Sequence, residues 1–156
     1  MLIKFSLLVL VLPHFSETSF ANALYCSLSQ DTPLVDAQGV EIAVVKPDVK
    51  IDVFLYASRK GRIELDNFIA QTDQEPSVRV VGNELETISE TALLSDPSFR
   101  VTQELALIHA NVKFTVLGSV KGIPGVENAT FHNVLLNGFL KDPLFRDCST
   151  ENSIKR

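Results

Sequence analysis

Cysteine occurs only twice in the chain, at Cys26 and Cys148, and no CxxC spacing is present. That scarcity removes zinc ribbons, iron–sulfur ligation and thioredoxin-like redox chemistry, all of which need clustered thiolates. Glycine is nearly as sparse, with seven in 156 residues. Gly118, Gly122 and Gly125 fall close together but lack GxGxxG spacing, and Lys121 does not stand where a Walker loop places its lysine, so the stretch reads as a flexible loop over residues 118–125 and not a phosphate cradle. Sequences of the GxSxG, HExxH and EF-hand types are missing. So is any excess of positive charge: the net charge is −5, without the basic patch that a nucleic-acid or anionic-membrane partner requires. No internal repeat and no low-complexity segment is present.

Long apolar runs are also lacking. The longest begins the chain, over residues 5–12, and ends at Pro13, whereas a membrane-spanning helix takes roughly 17 to 25 mostly apolar residues. Preceded by Lys4 and followed by Ala21-Asn22-Ala23, this run has the three parts of a secretory signal peptide over residues 1–23, with cleavage before Leu24. Cys26 invites a lipoprotein reading, but Tyr25 is too large to precede a lipidated cysteine. The expectation is an exported domain over residues 24–148, periplasmic or secreted and not membrane-spanning after cleavage, with a frayed tail over residues 149–156. In an oxidising compartment Cys26 and Cys148 are expected to form a disulfide.

What remains is rich in alternating apolar residues. Residues 27–38, polar and turn-prone around Asp31-Thr32-Pro33, read as a surface loop. Residues 40–45 and 49–58 read as strands; in the second, Val49, Ile51, Val53 and Leu55 form one face. Arg59-Lys60-Gly61-Arg62 then reads as the turn of a hairpin spanning residues 49–70. Residues 71–76 break the pattern before a short strand at 77–81. The spacing of Leu85, Ile88 and Ala92, with Asn83 as N-cap, predicts a helix over residues 83–94, stopped by Ser95-Asp96-Pro97. A second hairpin is expected from residues 99–108 and 112–120 around His109-Ala110-Asn111. Residues 128–140 read as a strand with Gly138 as a bulge, because glycine costs about 1 kcal/mol in a helix relative to alanine. The fold class expected is β-rich α+β: an antiparallel sheet or partly closed barrel of about six to eight strands with one short helix.

Functional signals are few. His109 and His132 stand in no catalytic motif, although either would titrate near neutrality, and Asn128-Ala129-Thr130 matches the N-glycosylation sequon. Ten phenylalanines and two tyrosines lie mostly on expected strands. Phe54 and Tyr56 fall opposite the aliphatic face of the 49–58 strand and are the expected binding residues. No catalytic residue, metal ligand or cofactor is expected. In plan, a leader followed by a β-rich domain without catalytic signature, the chain is similar to small periplasmic co-components of membrane-tethered regulators, a similarity that carries no residues across. The function expected is therefore that of a non-enzymatic accessory protein docking on another exported or membrane protein. The alternatives are a barrel that binds an apolar small molecule and a small hydrolase, which would require a reactive serine or a histidine pair.

Overall fold

A computed structural model describes residues 23–72, 76–97, 102–123 and 126–150; the leader, most of the tail and Phe99 of the aromatic set lie outside them. The elements in order are β1 (Leu24–Leu28), β2 (Thr32–Val35), β3 (Glu41–Val45), β4 (Lys50–Asp52), α1 (Val53–Ser58), β5 (Arg62–Thr72), β6 (Val78–Val81), β7 (Glu84–Thr87), β8 (Thr91–Leu94), β9 (Glu104–Ile108), β10 (Lys113–Ile123), β11 (Val126–Leu140) and β12 (Phe145–Thr150). The β-rich, antiparallel, one-helix architecture read from the sequence is the one observed, with more strands, because several segments read as loop or helix also pair.

The strands form two sheets. The larger runs β2-β3-β9-β8-β5-β11-β10-β7-β6, and β2 pairs again with β11, which closes six of its strands into a ring and leaves β10, β7 and β6 as a wing. A smaller sheet, β12-β1-β4, lies alongside. Leu34, Val45, Ile69, Leu93, Ile108, Val134 and Leu136 fill the ring, and Leu28 of the small sheet joins the same cluster. A second cluster of Phe131, Ala129 and Leu94, with Phe68, Ala70 and Ala92, packs on the opposite face of β5 and β11. Both faces of β11 are covered around Ala129 and Phe131, whereas from His132 to Leu140 buried residues alternate with more exposed ones.

The expected loop at residues 27–38 is wrong: it contains the end of β1 and all of β2, with Leu28 and Leu34 fully buried. The expected strand at 49–58 stops after Asp52. That carboxylate accepts from the Phe54 and Leu55 N–H groups at 3.0 and 3.1 Å, the bond pattern of an N-cap, so α1 begins although Val49, Ile51 and Val53 keep the alternation of a strand. The 49–70 hairpin is wrong for the same reason, since β4 pairs with β1 and β5 with β11 and β8. Gly61 has φ +90° and donates to the Tyr56 carbonyl at 2.9 Å, so it ends a helix where a hairpin turn was expected.

The expected helix over residues 83–94 is two strands. Leu85 and Thr87 are buried in alternation and Ile88 is exposed, a period of two. Thr87 holds the crossing of the chain: its hydroxyl donates to the His109 carbonyl at 2.7 Å and accepts from the Val112 N–H at 2.9 Å. The second expected hairpin has its strands but not its pairing, because β9 lies between β3 and β8 and β10 between β11 and β7. The glycine loop at 118–125 is largely strand: β10 continues through Gly118, with a register shift between Val116 and Gly118. Gly138 is no bulge, since β11 and β5 keep register past it.

Cys26 and Cys148 are bonded, as expected, and tie β1 to β12 beside a register shift. The bond is compatible with an oxidising compartment.

Candidate functional site

Along one edge β11 pairs with β5 from Ala129 to Phe139; along the other it pairs first with β10, as far as Val134, and then with β2, from Phe139. In an antiparallel ladder alternate residues direct their N–H and C=O groups to opposite edges. Over residues 135–138, therefore, half of these groups turn toward a gap that no described strand fills. The gap opens as a cleft of about 500 Å³. Its floor is Leu135, Leu136 and Asn137; one wall is Val40 and Ile42 from β3 and the turn before it, the other Val112 and Phe114 at the start of β10. The turn is pinned by Asp36, whose carboxylate accepts from the Gln38 and Val40 N–H groups at 2.9 Å. His109 braces the β3 wall. Its Nε2 lies 3.0 Å from Glu41 and its Nδ1 3.5 Å from Glu90, and its backbone N–H donates to the Ile42 carbonyl.

A second opening of about 550 Å³ lies under the wing, lined by Val80, Gly82, Asn83, Thr115, Val116, Ser119 and His132. Here three adjacent strands carry a row of polar side chains. Ser119 of β10 stands directly opposite His132 of β11, with Oγ 2.9 Å from Nδ1; His132 Nε2 lies 2.8 Å from Oε1 of Gln71 on β5. His132 is buried, at 7% exposure. Burial first, and then the positive charge of Lys121, hold its pKa below the ordinary 6.5. The unfolded chain therefore takes up this proton at higher pH than the native protein does. The stability due to neutral His132 is full above about pH 6.5 and is lost as pH falls from there through the depressed native value. The melting temperature is expected to fall between pH 7 and pH 5, with the slope reduced in His132→Gln; an NMR titration of His132 with a midpoint at or above 6.5 would contradict this.

The structure does not bring the expected binding residues together. Phe54 and Tyr56 sit on α1, where residues two apart point in different directions. Phe54 is 57% exposed, whereas Tyr56 packs on the main core and meets Phe145 edge-on at 5.5 Å. Desolvation, and then Asp142, raise the Tyr56 pKa. Leu55, expected on the aliphatic face with Val49, Ile51 and Val53, is exposed. Neither residue lines the two clefts above; Tyr56 lines a smaller one of about 320 Å³ with Tyr25, Ile51, Arg59, Ile63 and Leu65. Among the described residues no group of acidic, cysteine and histidine side chains is arranged to hold a metal, and no helix is long and apolar enough to cross a membrane.

Fold and site together define a small antiparallel ring with a split wall. Comparison of the chain with protein-family models, with curated proteins and with solved structures finds no match.

Proposed function

We propose that the protein is an exported binding protein that captures an extended apolar segment of another exported or membrane protein, which docks as an added strand in the split wall. The observation that carries this reading is the unpaired edge of β11 between Val134 and Phe139. A free strand edge is a template for another strand, and at about 3.3 Å per residue four residues span about 13 Å. Backbone bonds would supply affinity, and Val40, Ile42, Val112 and Phe114 would select apolar side chains. Phe54, exposed on α1, adds a contact for a larger partner. Export rests on the leader over residues 1–23.

The same cleft mixes Val40, Ile42, Val112 and Phe114 with Asp36, Glu41, Asn111 and Lys113, and its apolar members favour a second reading, an amphipathic small molecule such as a fatty acid in place of the peptide strand. NMR with amidated, acetylated peptides of alternating apolar residues separates the two. A peptide strand is expected to slow hydrogen exchange of the amides in residues 135–138, and Ala110→Trp, which puts bulk into the cleft from a half-buried wall position, is expected to weaken binding at least tenfold without lowering the melting temperature. A fluorescent fatty-acid analogue that occupies the cleft while no peptide protects those amides would favour the second reading.

A further inference from the structure

We propose that Ser119, His132 and Gln71 form a hydrolytic site for small carboxylic esters, with Ser119 as nucleophile, His132 as general base and Gln71 as the residue that positions the imidazole. The row is independent of the seam in the ring wall: Ser119 and His132 line the cleft under the wing, with Gln71 behind the imidazole, and it stands or falls without the strand-addition reading.

The tautomer that these contacts favour supports the roles. An amide oxygen only accepts, so Gln71 Oε1, 2.8 Å from Nε2, holds the proton on Nε2 and leaves the lone pair on Nδ1. Nδ1 then accepts from the Ser119 hydroxyl at 2.9 Å, which is the arrangement of an activated nucleophile, a base within hydrogen-bond reach and a third group orienting that base. His132 is nearly dry and Ser119 is exposed, so the base is shielded while the oxygen it activates faces the open cleft. A neutral amide in place of a carboxylate stabilises the imidazolium less, so turnover is expected to be slow. Val80 and Val116 provide an apolar surface for a short acyl chain in the same cleft.

Ser119 Oγ attacks the ester carbonyl carbon while its proton passes to Nδ1. The tetrahedral adduct collapses by breaking the bond to the alcohol oxygen, which leaves with the proton from Nδ1. Water then attacks the acyl-serine carbon, giving its proton to His132. Release of the carboxylic acid returns that proton to Ser119 Oγ, so the net reaction is ester plus water to acid plus alcohol.

The test is a fluorophosphonate probe, which adds to an activated serine with loss of fluoride, together with p-nitrophenyl acetate hydrolysis. The folded protein is expected to gain one adduct, mapped to Ser119, and both labelling and hydrolysis are expected to fall at least a hundredfold in Ser119→Ala, with a urea denaturation curve of the variant showing that it is folded. Gln71→Ala should slow labelling and shift its pH profile, which in the native protein should rise with pH through a midpoint below 6.5. Labelling of Ser119 no faster than that of the urea-unfolded chain, hydrolysis unchanged in Ser119→Ala, or a flat pH profile would each overturn the proposal and leave the row as a satisfied buried histidine.

Discussion

Gly138→Ala is expected to destabilise the protein by about 1–3 kcal/mol, and Gly138→Val by more, as overpacked core positions do. A Cβ built on Gly138 would lie 2.7 Å from the Val35 carbonyl oxygen and 2.9 Å from Leu34 Cγ. The first of these is backbone and cannot swing aside. Gly138 has no left-handed φ, so its role is to be small, not to turn the chain. It lies immediately before Phe139 and Leu140, the two residues at which β11 meets Val35 and Leu34, so added bulk pushes at the point where the ring closes. Urea denaturation measures the loss. A Gly138→Ala protein with an unchanged midpoint would mean that β2 is not seated against β11.

Removing the disulfide has a comparably large expected effect. Cys26 and Cys148 are separated by 122 positions, and closing a loop of that size restricts the unfolded chain by roughly 5 kcal/mol on the loop-entropy model; native disulfides of small exported domains typically contribute about 2–5 kcal/mol. Cys26→Ser with Cys148→Ser, which leaves no stray thiol, should lower the urea midpoint and hasten proteolysis of β12, which β1 alone holds to the small sheet. Reductant should do the same to the native protein and nothing to the double variant. Two free thiols in protein denatured without reductant would refute the bond.

The strand-rich class was legible in the sequence because β-branched residues at period two dominate it, and the cysteine pairing because there was one possible partner. Pairing of strands was not. β9 and β10 are consecutive, but Ala43 and Thr91 flank Ile108, and nothing local distinguishes that from a hairpin. At Asp52 one side-chain cap outweighed a run of alternating apolar residues, and at residues 83–94 three apolar positions matched a helical period that the burial of Leu85 and Thr87 does not follow. Phe54 and Tyr56 were singled out on an alternation that ends at Asp52. His132 was read as a group that titrates near neutrality outside any motif, but Ser119 and Gln71 were not tied to it, because the three come together only through the register of three strands. An interior histidine beside Phe131 was the single available hint. The seam leaves no trace in composition at all, since it arises from where two neighbours of β11 stop and start.

Closure of the ring also bears on how fast the chain can reach this state. The contacts that complete it join Leu34 to Leu140, and those that complete the small sheet join Leu24 to Thr150, each almost the length of the domain apart, whereas β6 and β7 or β10 and β11 meet across short turns. Loop-closure entropy must be met before such distant pairings return any stabilisation, which places folding in the slow, millisecond-to-second range of β-topologies. Until then β11 has two apolar faces and an open edge, the kind of surface through which partly folded chains associate. The strand that carries both candidate sites is thus the one most exposed to misassembly before the ring is shut.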